Sequence, residues 1–132
     1  MGKRVIITLI VMGILLLLLI LYNRFIANGR TEDMGNRISG QEALDMVRGG
    51  NCFILDVRTP GEFAEGHVRD AVNIPVNALQ ARLDEVPQDK RIILYCRSGA
   101  RANRAMDMLL AAGYEDVYNF GGLKDWPEKP VR

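Results

Sequence analysis

Arg91-Ile92-Ile93-Leu94-Tyr95-Cys96-Arg97-Ser98-Gly99-Ala100-Arg101 is the stretch from which the rest of the chain can be ordered. Arg91 to Tyr95 is a short apolar run with β-branched residues, the pattern of a buried strand. Ala102 to Ala112 is rich in Ala, Met and Leu and closes on Gly113, which reads as a helix with a glycine stop. Strand, small-residue loop and helix in that order set the Cys96 sulfur at the mouth of a helix N-terminus. Unpaired backbone N–H groups converge there and the helix dipole favours an anion. Such surroundings suit a thiolate, the nucleophilic form of cysteine. Arg97 and Arg101 add forked donors matched to an oxyanion. The stretch describes an activated sulfur in a cradle for anions.

Working outward, the segments on either side repeat the alternation. Ser39-Gly40-Gln41-Glu42 is a capping box, and Ala43, Leu44, Met46 and Val47 form one apolar face of a helix stopped by Gly49-Gly50. Cys52-Phe53-Ile54-Leu55-Asp56-Val57 is a nearly continuous apolar strand, as expected where both sheet faces are covered. Thr59-Pro60-Gly61-Glu62 repeats the capping logic with Pro60 at the first helical position. Ala71 to Pro75 reads as a short strand, and Asn77 as the cap of a helix with Leu79, Leu83 and Val86 inward, ended by Pro87. A last strand, Val117 to Phe120, runs into Gly121-Gly122 and a turn carrying Trp126. Strands alternating with helices predict an α/β domain with a central, mainly parallel sheet flanked by helices. Ligands of such sheets sit beyond the carboxyl ends of the strands, so Cys96 and Asp56-Val57-Arg58 are expected on one face.

Ahead of this domain the composition changes. Val5 to Tyr22 carries no charge, and about 18 residues of helix span roughly 27 Å, close to the thickness of a bilayer core. We read residues 1–23 as a transmembrane anchor, 24–37 as a flexible tether and 38–132 as the globular domain. A cleaved signal sequence is the rival for the first segment. Lys3 and Arg4 form its n-region, but Tyr22 to Ala27 lacks a small-x-small cleavage site. Lys3 and Arg4 are denser than Arg24, Arg30 and Arg37, which favours a single-pass protein with its domain on the extracytoplasmic side. The bilayer, met through residues 5–22, is thus one expected partner. A net charge of +1 and the lack of a basic, aromatic-studded stripe exclude a nucleic-acid surface.

Five motifs in order then carry a family resemblance: Leu55-Asp56-Val57-Arg58, Glu62-Phe63-Ala64-Glu65-Gly66-His67-Val68, Ala71-Val72-Asn73-Ile74-Pro75, Tyr95-Cys96-Arg97-Ser98-Gly99 and Gly121-Gly122-Leu123-Lys124-Asp125-Trp126. Together they resemble a single-domain rhodanese from Ile38 to Pro130. The resemblance implies the rhodanese-like fold and a sulfurtransferase. In such an enzyme the loop cysteine carries sulfane sulfur as a persulfide from a small sulfur-containing donor to a thiol, a protein thiol included, or another nucleophile. On that reading Cys96 is nucleophile and carrier, and Arg97, Ser98, Gly99, Ala100 and Arg101 cradle the sulfur, with Arg97 also orienting the donor. Asp56 is an orienter of backbone or arginine. Arg58 either joins the site or pairs with Asp56 or Glu62. His67 has a structural hydrogen-bonding role and Trp126 closes the core. One histidine and two cysteines leave no metal site with enough soft ligands, and no cofactor is expected.

Two positions depart from the two-domain, thiosulfate-handling members of that family. Glu62 stands where the resemblance places an arginine, and Ser98 where it places a lysine. Both changes remove positive charge from the donor's surroundings and count against thiosulfate as the physiological donor. Two other functions compete. A cysteine-dependent phosphatase or arsenate reductase-like enzyme needs five residues between cysteine and arginine, whereas Cys96 and Arg101 enclose four and position 102 is Ala. A non-catalytic, membrane-tethered binding module is the other, and the retained Cys96 speaks against it. Cys52 opens one strand while Cys96 closes another, so they are read as too far apart for a disulfide.

Overall fold

The computed structural model describes residues 2–132, with side chains at 2–24 and 36–132, and divides them into two units meeting between Gly35 and Asn36. The first unit is one helix, α1 (Gly2–Gly35). An 18-residue window within its stretch Gly2–Arg24 has a mean hydropathy of 3.2, and the stretch is long and apolar enough to cross a membrane. The helix runs on through most of the stretch read as a tether. Extending an existing helix costs far less than nucleating one, and no proline intervenes.

The second unit, Asn36–Arg132, is the α/β domain that the alternation predicts. Its elements are α2 (Gly40–Arg48), β1 (Cys52–Asp56), α3 (Pro60–Glu65), β2 (Val72–Asn73), α4 (Val76–Leu79), β3 (Arg91–Cys96), α5 (Ala100–Ala111) and β4 (Val117–Gly122). The four strands form one sheet in the order β2-β1-β3-β4, every pairing parallel. Chain direction across the sheet reverses between β1 and β3, so the crevice beyond their carboxyl ends is the switch point at which such sheets bind ligands.

Side chains alternate across β3 with the period of a strand. Ile92, Leu94 and Cys96 pack with α5, Leu55, Val57 and Ile74 on one face. Ile93 and Tyr95 pack with Ala43, Leu44, Phe120 and Trp126 on the other. Both capping boxes form: Ser39 Oγ accepts from Glu42 N and Thr59 Oγ1 from Glu62 N, each glutamate accepting in return from its cap's amide.

One expected element differs. The helix assigned an Asn77 cap begins at Val76, with Pro75 at the cap position and no side-chain hydrogen bond. Pro75 supplies a fixed φ of −54°, and Val76 N–H donates to Val57 O, so the entry is set by proline and by the neighbouring strand end. After Leu79 the chain tightens into a 3₁₀ turn, Gln80–Glu85, kinked at Arg82. Leu79 and Val86 are nevertheless buried, and Leu83 packs half-buried against the same core.

Candidate active site

Two loops meet at the switch point. The first leaves β1 as Asp56-Val57-Arg58, with Val57 N–H donating to Tyr95 O at 3.2 Å. Arg58 folds back on Asp56: Nε lies 3.0 Å from both carboxylate oxygens, Nη2 is 2.6 Å from Oδ2, and the Arg58 amide donates to Oδ1 at 2.9 Å. The pair is buried, with side-chain exposures of 7% and 0%. Arg58 Nη2 also donates to Gly66 O at 2.7 Å, and Asn73 Nδ2 donates to the carbonyls of Asp56 and Arg58. Asp56 thus holds both the guanidinium and the amide of Arg58, and Arg58 pairs with Asp56 and not with Glu62. A bidentate guanidinium–carboxylate pair with every remaining acceptor met is the form in which buried charge is tolerated.

The second loop leaves β3 at Cys96, which is wholly buried. Gly99 N–H donates to Cys96 Sγ at 2.9 Å. Gly99 has φ +103°, in the left-handed region that glycine adopts at little cost, and this turns the chain directly into α5. Asn103 N–H reaches Gly99 O at 2.9 Å, and the amides of 100–102 ahead of it are the orphan donors of a helix start. The loop is pressed against the end of β4. A Cβ on Gly122 would lie 2.2 Å from Arg97 O, so only glycine fits where the two backbones touch. Asn119 supports the same corner, accepting from Gly121 N–H and donating to Asn103 Oδ1.

Arg101 is not a free anion clamp. Its Nη1 and Nη2 donate to Glu62 Oε2 and Oε1 at 2.8 and 2.9 Å, across a gap of 39 residues. The Arg101 guanidinium holds the Glu62 carboxyl down at about 2, with the Thr59 cap adding to the effect against partial burial. Arg97 and Ser98 are exposed, as is Ala100, and Arg97 is in no ion pair among the described residues. Beside them opens a cleft of about 860 Å³, lined by the polar Arg58, Glu62, Arg97 and Ser98 and by the apolar Leu123, Trp126 and Pro130.

Three residues at the site have contacts that the sequence did not announce. Tyr95 is fully buried. Its hydroxyl accepts from Val68 N–H at 3.0 Å, its ring stacks on Phe120, and the Arg58 guanidinium sits 5.5 Å from its centroid. Burial, then the neighbouring Asp56, pushes its phenol well above the ordinary range, so it stays protonated. Glu62 caps α3 and also neutralises Arg101, a pairing that no local pattern announces. Lys124 lines the cleft, and its motif gave no reason to single it out. His67 is structural as expected: Nδ1 lies 2.9 Å from Phe63 O, the ring stacks on Phe63, and its backbone exchanges hydrogen bonds with Val131. Trp126 is buried against Phe120, and its remaining edge faces the cleft. Among the described residues no cluster of His, Cys, Asp and Glu could hold a metal ion.

This chain is similar to known proteins. The family profile of the rhodanese-like domain matches residues 39–129. A sulfurtransferase of Allochromatium vinosum is 40% identical over 97 residues, 73% of this chain and 83% of that protein. The thiosulfate sulfurtransferase PspE of Escherichia coli is 37% identical over 73 residues, 54% of this chain and 70% of its own length. Among solved structures, a rhodanese with anions from E. coli has a TM-score of 0.58 and 32% identity, covering 61% of this chain and 98% of that one. The reduced Bacillus anthracis CoADR-RHD has a TM-score of 0.67 and 36% identity, covering 74% of this chain and 18% of that one. By fold, by ordered motifs and by these similarities, the chain belongs to the rhodanese-like domain family.

Proposed function

We propose that the protein is a sulfurtransferase that carries sulfane sulfur on Cys96. The observation that carries this reading is the Cys96 sulfur at the switch point of a parallel sheet, accepting the Gly99 N–H at 2.9 Å beneath the orphan amides of α5. The Cys96 thiolate attacks the sulfane sulfur of the donor. A bond forms between Sγ and that sulfur, the donor's own bond to it breaks, and the donor leaves with the electron pair, as sulfite from thiosulfate or as a thiolate from a persulfide. Preset amides then face the persulfide anion, which costs little reorganisation. An acceptor thiolate attacks the outer sulfur, the disulfide-like bond breaks, and Cys96 is returned as thiolate. Each step conserves electrons, so no cofactor is called for.

A phosphoryl cargo suits the site poorly, because Arg101 is turned away to Glu62. Mass spectrometry after donor treatment tests the proposal. A gain of one sulfur atom on the peptide bearing Cys96, removed by a thiol, is the expected result. No gain with thiosulfate or with a low-molecular-weight persulfide would refute it.

The same reading places residues 5–22 of α1 in a bilayer, with the domain on the extracytoplasmic side. Its support is the charge-free apolar run and the Lys3–Arg4 pair ahead of it. Extraction that requires detergent, and protease digestion of the domain from outside intact cells, are the expected outcomes.

A further inference from the structure

The sulfur-carrying site opens onto more space than an inorganic donor needs. Thiosulfate has five heavy atoms and fills on the order of 100 Å³, taking each as roughly a water's volume or less. The cleft beside Arg97 and Ser98 encloses about 860 Å³, and a second of about 630 Å³ shares Arg58, Glu62, Glu65, Leu123 and Pro130 with it. That is the scale of sites for small organic molecules. Leu123, Trp126 and Pro130 give the first cleft an apolar wall, suited to a carbon skeleton and not to a hydrated ion.

Charge is distributed unevenly along this space. Pairing removes Asp56 with Arg58, and Glu62 with Arg101. Glu65 is then the one lining carboxylate left, against Arg97, Lys124, Lys129 and Arg132, none of which joins an ion pair among the described residues. Arg132 leans on the Glu65 carbonyl through Nε at 3.1 Å, which fixes it at the rim. Lys129 and Arg132 line only the second cleft, beyond the walls it shares with the first. Arg97 and Lys124 line the first cleft and Lys129 and Arg132 the second, so positive charge in excess of Glu65 runs along both, the path of a longer molecule.

We infer that the organic partner of the exchange is a small thiol, or its persulfide, bearing carboxylates several atoms from the sulfur, and that Lys124, Lys129 and Arg132 select it. The inference rests on the sulfurtransferase reading. The thiolate reaches the outer sulfur of Cys96 from the Arg97–Ser98 end while its carboxylates meet Lys124 in the first cleft and Lys129 and Arg132 in the second. The same contacts hold the persulfide product, so they serve delivery as well as removal of sulfur.

The test uses the full chain in a non-ionic detergent, loaded with sulfur by thiosulfate or a persulfide and then discharged by thiols. Glutathione is the anionic probe, 2-mercaptoethanol the neutral one and cysteamine the cationic one, with rates expressed per thiolate. The ratio of kcat/KM for glutathione to that for 2-mercaptoethanol is expected to fall about tenfold in the triple variant Lys124→Gln, Lys129→Gln, Arg132→Gln, from roughly a two- to threefold loss per exposed charge. Taking a ratio within each protein cancels differences in thiol nucleophilicity and in the fraction folded. In the unaltered protein the same ratio should drop when ionic strength rises from about 0.01 M to about 1 M, where the screening length shrinks from about 30 Å to about 3 Å. A ratio unmoved by both, or cysteamine matching glutathione, would overturn the inference. Failure of Cys96 to gain sulfur from either donor would overturn the sulfurtransferase reading itself, and the two failures are separately visible.

Discussion

The two cysteines occupy opposite ends of neighbouring parallel strands. Cys52 pairs in register with Arg91 at the start of β3, whereas Cys96 closes β3. At about 3.3 Å per residue, five residues put them roughly 16 Å apart along the strand direction, well beyond disulfide reach. Both are free thiols, and their surroundings differ in sign. Cys52 lies where α2 ends, and Sγ faces carbonyl oxygens, Met46 O at 3.3 Å and Gly50 O at 3.6 Å. Cys96 lies where α5 begins, and its sulfur meets an amide. A carbonyl needs a donor and holds the S–H, whereas an amide needs an acceptor and welcomes S⁻. Burial also pushes the Cys52 thiol up. On the proposed function, the end of the strand–helix unit that a cysteine occupies is what separates the packing Cys52 from the carrier Cys96.

The strongest way to break this comparison is to exchange the sulfur proposed as the carrier. Cys96→Ser is expected to lower sulfur transfer at least about a thousandfold while leaving far-UV circular dichroism unchanged. Residual transfer above a hundredth of the native rate would place the carrier elsewhere, with Cys52 the first suspect.

Asp56 sharpens the contrast, because the charged brace beneath the cleft exists only at the Cys96 end of β1. Asp56→Ala leaves Arg58 buried without its counter-charge, a class of change costing about 3 kcal/mol or more. Thermal unfolding of the full chain in detergent measures it. A loss below about 1 kcal/mol would mean that Arg58 escapes to solvent through the cleft it lines.

Glu62 comes next. Its carboxyl sits at about 2 in the folded protein against an ordinary 4.5, so the folded state binds this proton less readily than the unfolded one. The Glu62–Arg101 contribution is therefore complete above pH 4.5 and disappears as pH falls toward 2. Because both side chains are partly exposed, at 23% and 31%, the pair is worth about 1 kcal/mol. The gap in melting temperature between native protein and Glu62→Gln should be open at neutral pH and close through the acid range. The variant also frees Arg101 for an anion, so KM for thiosulfate should fall several-fold. A rise in KM would show that Arg101 stabilises the site only through Glu62.

Most of this architecture was legible because it is local. Capping boxes, the small-residue loop after Cys96 and the short apolar runs of the strands are written in consecutive residues, and they led to the sheet and to the shared face of Asp56, Arg58 and Cys96. What was not legible is contact across the sequence. Glu62 was visible as a cap of α3 but not as the partner of Arg101, and Tyr95 as a strand residue but not as the support under Arg58. Asn77 misled for a different reason: it is a good capping residue two positions past a proline, and the proline's fixed φ together with the Val57 carbonyl decided the helix start. Of the cleft cations, Arg97 follows β3 whereas Lys124, Lys129 and Arg132 lie between positions 124 and 132, and only the folded chain brings them to one place.

The smallest expected effect belongs to Cys52. Its side chain is half-buried, packed beside Ile54 and Met46 on the face away from α5, with Sγ donating weakly to a carbonyl. Removing the sulfur forfeits a few contacts and one weak hydrogen bond, and alanine leaves no charged or strongly polar group stranded. A loss of about 1 kcal/mol or less is therefore expected for Cys52→Ala. Transfer activity should stay within about twofold of native, since neither step of the exchange calls on a second cysteine and the parallel register holds Cys52 out of reach of Cys96. The discriminating measurement is discharge of sulfur-loaded protein without added thiol. If Cys52 resolved the persulfide internally, native protein would release sulfide and gain a disulfide, and Cys52→Ala would not. Equal persistence of the extra sulfur in both proteins is the expected result, and it would leave an external thiol as the acceptor.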